Sequence, residues 1–309
     1  MANTELRLYR YFVTLCEEEN FSRAAERLAI TPPTLTHQIQ KLEKDLNVRL
    51  LNRKTKKKLQ PTEAGLRFLE SARDVLHLAD EAEKTARKAA RGEIGRLEIG
   101  YMITTAYSGL VQRFIKNFLN RYPGIDITLH QVSTVNFVSG ILLNELDVGF
   151  ARVLKQFPTG LSGFAFYRAP VILALPGNHP LARKSGAIEP KALADEAFVS
   201  TSVGNDFAFT RHVEAIAGLG GFVPKIAKRA EDLTTVLTYV SLGYGIAAVS
   251  QDMANCHVPN VIFKKLAAKA VPDVVFSFMH RTNESAPAVK VFIGAMREFA
   301  LKNEVSRSN

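Results

Sequence analysis

The run Thr31-Pro32-Pro33-Thr34-Leu35-Thr36-His37-Gln38-Ile39 admits very few conformations. A hydroxyl residue followed by proline reads as a helix cap with proline at the first helical position, where its missing N–H costs nothing and its φ is already helical. Leu35, Ile39, Leu42 and Leu46 then recur at three- and four-residue spacing and bury one face. The opposite face carries Thr34, His37, Gln38, Lys41 and Lys44, with Thr36 and Gln40 beside it. Threonine, glutamine, histidine and lysine are the groups that hydrogen-bond base edges and phosphates, so this is a candidate recognition helix.

Two helices are predicted ahead of it. Leu6, Tyr9, Phe12, Val13 and Cys16 share one face of the first, and Ser22 is the expected cap of a short second helix in which Ala24 and Ala25 permit a close crossing. Two short strands are expected afterwards, around Leu50 to Arg53 and Leu59 to Pro61. The stretch from Arg49 to Thr62 contains Arg49, Arg53, Lys54, Lys56, Lys57 and Lys58 and no acidic residue. A basic loop between two strands is a wing suited to a polyanion. The whole 309-residue chain carries a net charge of +10, and residues 1–92 hold half of that excess with 18 Lys/Arg against 13 Asp/Glu. Thr62 then caps a long helix running to about Arg91. On it Leu69, Ala72, Leu76, Ala79, Ala86 and Ala90 make a seam broken by Glu83, which predicts pairing with a second copy.

The ordered residues Phe21-Ser22-Arg23-Ala24-Ala25-Glu26-Arg27-Leu28, the Thr31 to Ile39 run, Leu42-Glu43, Leu46, Leu50-Leu51, Arg53 and Thr62-Glu63-Ala64-Gly65 strongly resemble the LysR-type transcriptional regulators. Three positions depart from that pattern. Asn47 stands where the family usually has glycine, Leu51 where it has phenylalanine, and His37 where arginine or glutamine is usual. The last falls on the reading face, so the resemblance implies DNA binding with a base preference of the chain's own. It assigns DNA contact to Thr31, Pro33, Thr34, Thr36, His37, Gln38, Lys41, Arg53, Lys54, Lys56, Lys57 and Lys58.

From Arg96 onward, short β-rich runs alternate with helical patterns: Leu97 to Tyr101, Leu110 to Asn120, Ile125 to Val132, Val135 to Leu143 and Asp147 to Ala151. The order repeats from Val171 through Ser250, followed by a strand at Val274 to Met279 and a helix at Pro287 to Lys302 that returns to the first lobe. Such alternation predicts parallel sheets with crossover helices in two α/β lobes. Leu97-Glu98-Ile99-Gly100, Leu146 to Phe150, Pro176 to Leu181 and Gly243 to Ala247 resemble the family's periplasmic-binding-protein-like effector domain. The expected fold is therefore α/β: a winged helix-turn-helix over 1–61, a linker and dimerisation helix over 62–92, and an effector domain over 93–309. Its first lobe takes in about 93–165 and 269–309, its second about 166–268.

In open α/β lobes a ligand sits at the carboxyl ends of strands, where free N–H groups and helix dipoles favour an anion. Thr104 and Thr105, Ser133 and Thr134, Arg152, and Ser200 to Ser202 follow strands, with Phe207 and Phe209 close behind. These are the candidate effector-binding residues, and Arg152 can grip a carboxylate with two bonds. By resemblance, Gly149-Phe150-Ala151-Arg152 is most like the branch that senses intermediates of aromatic-compound breakdown, with Thr104 and Thr134 matching its ligand-contacting hydroxyls.

Other chemistries find little support. Cys16 and Cys256 form no Cys-x-x-Cys pair, the adjacent Cys256 and His257 point apart in extended chain, and the seven histidines lack zinc-motif spacing. No catalytic residue, metal or cofactor is expected. The glycines at 218, 220 and 221 read as a helix stop and turn, and His179 as a loop residue. No apolar run approaches the roughly 18 residues needed to cross a bilayer, and no secretory leader is visible, so a cytoplasmic protein without membrane contact is expected. The expected partners are double-stranded DNA at an inverted-repeat promoter site, a small carboxylate effector, a second or further copies in a homodimer or homotetramer, and RNA polymerase. Two rival readings stand beside this one: a constitutive DNA-binding protein with a ligand-free oligomerisation domain, and an α/β solute-binding protein whose basic N-terminus serves assembly.

Overall fold

The computed structural model describes residues 5–52, 59–132, 134–152, 156–201, 208–267 and 271–305. The chain divides into two compact units, residues 1–88 and 89–309.

The first unit opens with α1 (Leu6–Glu18), α2 (Phe21–Arg27) and α3 (Pro32–Leu46). Leu8, Phe12 and Leu15 of α1, Ala24 and Ala25 of α2, and Leu35, Ile39 and Leu42 of α3 close on one another as a small core. The fully buried alanines are what let α2 pack this closely. The cap of α2 is Asn20 rather than Ser22: its Oδ1 accepts from Ser22 N at 2.8 Å and Arg23 N at 3.1 Å. Because Phe21 already begins the helix, Ser22 lies two positions past the cap. Thr31 caps α3 as expected, and Asn47 ends it in the left-handed region at φ 51°. Asparagine tolerates that conformation nearly as well as the glycine usual there. Two-residue strands β1 (Leu51–Asn52) and β2 (Gln60–Pro61) pair antiparallel, and α4 (Glu63–Ala90) follows. Only Gly65 and Ala72 of α4 are buried, while Leu66, Val75 and Leu78 are exposed.

The second unit holds two lobes. The first has β3 (Ile94–Tyr101), α5 (Ile103–Ala106), α6 (Leu110–Arg121), β4 (Gly124–Gln131), α7 (Thr134–Leu142), β5 (Val148–Arg152) and β6 (Leu161–Ala169). The second has β7 (Val171–Pro176), β8 (Ala197–Thr201), α8 (Ala208–Gly220), β9 (Lys225–Ala230), α9 (Leu233–Ser241), β10 (Ala247–Ser250) and β11 (Val261–Lys265). Then β12 (Val274–Arg281) and α10 (Pro287–Val305) return to the first lobe.

The first-lobe sheet runs β4-β3-β5-β12-β6. β3 is parallel to β4 and β5, but β12 is antiparallel to both β5 and β6. In the second lobe β7 is flanked antiparallel by β10 and β11, and β8 pairs parallel with β9. The first-lobe sheet is therefore mixed and the β10-β7-β11 sheet antiparallel, while β3 with β4 and β5, and β8 with β9, keep the parallel pairing expected. The reason is connectivity: β6 passes directly into β7 through Pro170, and β12 returns from the other lobe, so neither is reached by a crossover helix. Pairing of β6 with β12 extends to Ala169, so the chain leaves the first lobe a few residues beyond the boundary expected near 165.

Candidate functional site

On the reading head, α3 presents a narrower open face than its sequence promised. Thr31 Oγ1 accepts from Thr34 N at 3.3 Å and lies 2.8 Å from Thr34 Oγ1, while Thr36 Oγ1 donates to Pro32 O at 2.9 Å. Both hydroxyls thus serve the helix itself. Pro33, Thr34, His37 and Lys41 are exposed, and Gln38 is half-buried with its Oε1 shielded. Lys41 Nζ stands 3.5 Å from Glu5 Oε1, a solvated pair of little worth that leaves the ammonium available to a phosphate. The wing residues Arg53, Lys54, Lys56, Lys57 and Lys58 lie outside the described residues. Cys16 packs beneath this surface, and burial pushes its thiol up to about 11, against a smaller opposing effect of Arg73. A thiol so held is a poor nucleophile near neutrality.

In the second unit, parallel pairing brings the carboxyl ends of β3, β4 and β5 to one edge of the first-lobe sheet. Met102 N donates to Phe150 O at 2.9 Å, which ties the turn after β3 to β5. Two residues beyond each of these anchors stand Thr104 and Arg152, both buried. Arg152 is the last residue of β5, and its guanidinium lies 4.2 Å from the centre of the Phe209 ring. Phe209 is itself buried on α8 of the second lobe and tilts against His212. One cation of the first lobe thus lies over an aromatic ring of the second, a cation–π contact between the lobes.

The hydroxyls around it differ. Thr105 Oγ1 donates to Met102 O at 2.7 Å and is used locally. Thr104 Oγ1 is buried with no hydrogen-bond partner among the described residues. Thr134 is the first residue of α7, at the same strand edge. Across the gap, Ser200 Oγ faces Thr210 Oγ1 at 3.4 Å, and Thr201 ends β8 buried. Ser133, Ser202 and Phe207 lie outside the described residues.

Several cleft residues were not among the candidates. Ser250 ends β10 as Thr201 ends β8, is almost fully buried, and has an Oγ without a partner among the described residues. The strand-end rule that selected Ser200 applies to it equally. Tyr167 Oη donates to Asp252 Oδ1 at 2.6 Å, and Asn255 Nδ2 donates to Tyr107 O at 2.8 Å, so both lobes are tied at the turn after β10. Tyr107 Oη also bonds to Cys256, which with burial raises its phenol, and reaches Thr234 at the start of α9. Asp232 caps that helix: burial works to raise its carboxyl, but bonds from Thr235 and Thr234 hold it below the usual range. These cross-lobe contacts join residues 85 and 148 apart in the two hydrogen bonds, beyond any local pattern. His179 is a loop residue as expected, its Nδ1 accepting from Leu181 N at 3.2 Å and its Nε2 meeting Glu196 at 3.1 Å. Among the described residues no cluster of His, Cys, Asp and Glu is arranged to hold a metal, and no helix is long and apolar enough to cross a membrane.

A reading head of three helices with a two-stranded wing root, on one chain with a two-lobed α/β body, is the build of an effector-responsive DNA-binding regulator. Residues 6–66 match the family described as bacterial regulatory helix-turn-helix protein, lysR family, and residues 90–300 match the LysR substrate binding domain. The chain belongs to the LysR-type transcriptional regulators. Among curated relatives, XapR of Escherichia coli (strain K12), an HTH-type transcriptional regulator, is 29% identical over 296 residues, covering 96% of this chain and 98% of its own. The Hca operon transcriptional activator HcaR of the same organism is 31% identical over 294 residues, covering 95% and 97%. Among solved structures, full-length CbnR complexed with its target DNA superposes with a TM-score of 0.80 at 28% identity, covering 96% of this chain and 99% of that one. The relatives are transcriptional regulators, and none of these names describes an enzyme.

Proposed function

We propose that residues 1–61 read an inverted-repeat DNA site, that residues 62–92 join copies into a homodimer or homotetramer, and that residues 93–309 sense a small carboxylate. Pro33, Thr34, His37, Gln38 and Lys41 face the major groove, with Thr31 and Thr36 shaping the helix that carries them. Arg53, Lys54, Lys56, Lys57 and Lys58 supply phosphate contacts. Two-fold symmetry spaces the half-sites by roughly one helical turn, about 34 Å. The protein works in the cytoplasm, where RNA polymerase is the further partner such a site serves.

The observation that carries the effector reading is the buried Arg152 guanidinium lying over the ring of Phe209 of the opposite lobe, at the strand edge from which the buried Thr104 also follows. A carboxylate bound there bridges the lobes, and closing on it shifts the population of head arrangements. Thr105, Ser133, Thr134, Ser200, Ser202 and Phe207 complete the proposed wall. The aromatic Phe209 face suits an effector derived from an aromatic acid.

A thermal-shift screen of small carboxylates and aromatic acids identifies the ligand, and calorimetry on Arg152→Ala tests the site. The variant is expected to keep its DNA affinity and to bind the carboxylate about 1.5–3 kcal/mol more weakly, the range for a charge-assisted bond. Equal affinity in the variant and the parent places the anion elsewhere. A variant that fails to fold makes Arg152 a structural residue.

A further inference from the structure

Glu43 faces inward from α3, is over nine-tenths buried, and its Oε1 accepts from two successive backbone donors, Leu50 N at 2.8 Å and Leu51 N at 3.1 Å. An acid on a recognition helix that faces its own core and accepts from two successive amides there is a fastening. The same short segment is held from its other side. Thr62 Oγ1 donates to Arg49 O at 2.8 Å and accepts from Gly65 N at 2.9 Å, and Thr62 N donates to Leu50 O at 2.9 Å. Gly65 presses so closely that a Cβ there would meet Leu50 O at 2.1 Å. Residues 49–51 are therefore clamped between the end of α3 and the start of α4.

The clamp leaves one side chain turned out. Leu50 and Leu51 are buried, whereas Arg49 is exposed. It is the sole cation between the end of α3 at Leu46 and the start of β1, in a stretch without acidic residues as far as Thr62. Its own carbonyl is the group Thr62 holds. We propose that Arg49 is a phosphate contact between the reading helix and the wing, and that Glu43 and Thr62 are positioning residues that set its register against α3. The inference rests on DNA reading by α3 and assigns three residues outside the wing and outside the reading face.

The test measures affinity of the full-length chain for a duplex selected in vitro by the parent protein, over a range of salt concentrations. Each neutralised phosphate contributes about −0.9 to the slope of log K against log salt. Arg49→Ala is expected to flatten the slope by about that amount and to weaken binding roughly tenfold. Glu43→Ala and Thr62→Val are each expected to flatten it likewise. Combining either with Arg49→Ala is expected to add no more, since both act through one contact. Glu43→Gln, which keeps an acceptor oxygen, is expected to restore the parent slope. Site selection by each variant is expected to return the parent base preferences. An unchanged slope in Arg49→Ala overturns the assignment, as do fully additive losses in the double variants or base preferences relaxed by Glu43→Ala. Should Glu43→Ala fail to fold, the Thr62→Val and Arg49→Ala pair decides by the same comparison. A parent protein that selects no sequence at all overturns the reading-helix assignment itself, an outcome distinct from each of these.

Discussion

Gly149 in β5 shows how tightly one residue governs the cleft. A Cβ at this position would lie 2.1 Å from Phe137 Cζ and within 2.9 Å of two further ring carbons. Phe137 is buried against Ile141, Leu146 and Met279, so its ring has nowhere to withdraw. Gly149→Ala is expected to destabilise residues 89–309 by about 1–3 kcal/mol through overpacking. Gly218→Ala is the matched control, because nothing lies within 4 Å of its Cβ and α8 is regular there. That change is expected to raise stability by roughly 0.5–1 kcal/mol. Urea unfolding of both variants checks the pair, and equal midpoints would discard the steric account. The run Gly149 to Arg152 was visible in the sequence as a strand leading to the candidate effector residues. That its glycine makes room for a ring from α7 was not, because the contact partner is chosen by the crossing of helix and sheet.

At the scale of the element, α3 depends on how it starts. Thr31 Oγ1 satisfies one of the orphan N–H groups of the first turn, and prolines at 32 and 33 remove two others. Thr31→Ala is expected to cost the head about 1 kcal/mol while leaving base preference unchanged, since this hydroxyl already bonds within the helix. Chemical unfolding together with site selection checks both halves, and a changed base preference would return Thr31 to the reading face. Helices with a clear apolar stripe were legible in the sequence almost to the residue. Leu110 to Asn120 was expected and Leu110–Arg121 is found; Pro287 to Lys302 was expected and Pro287–Val305 is found. Strand direction was not legible. A strand's residues say that it is half-buried, but not from which lobe the chain arrives, so β6 and β12 carry no local mark of their antiparallel pairing. The cap of α2 failed for a different reason. Asn20 and Ser22 are both good capping residues, and which one caps is decided by whether Phe21 turns inward to the head's core.

The whole molecule has separate cores, and this separation makes its two binding activities distinguishable by heat. Leu8, Phe12, Leu35 and Ile39 belong to one cluster within residues 1–88, while Leu97, Phe150, Phe278 and Phe292 belong to another within residues 89–309, and the two share no residue. Units with independent cores need not unfold together. Calorimetry of the full-length chain at fixed protein concentration is therefore expected to resolve two transitions. A selected DNA duplex is expected to raise the transition of the head alone, and the carboxylate found by screening that of the two-lobed unit alone. At a hundredfold excess over Kd each ligand stabilises its unit by about 2.7 kcal/mol. For a unit of roughly 200 residues that corresponds to about 5–10 °C. With both ligands present, any departure from the separate shifts measures the coupling between the sites, which must be the same whichever ligand is added first. Shifts that simply add would show that occupancy of the cleft does not bias the head and would support constitutive DNA binding. A single transition moved equally by either ligand would show that the two cores melt as one.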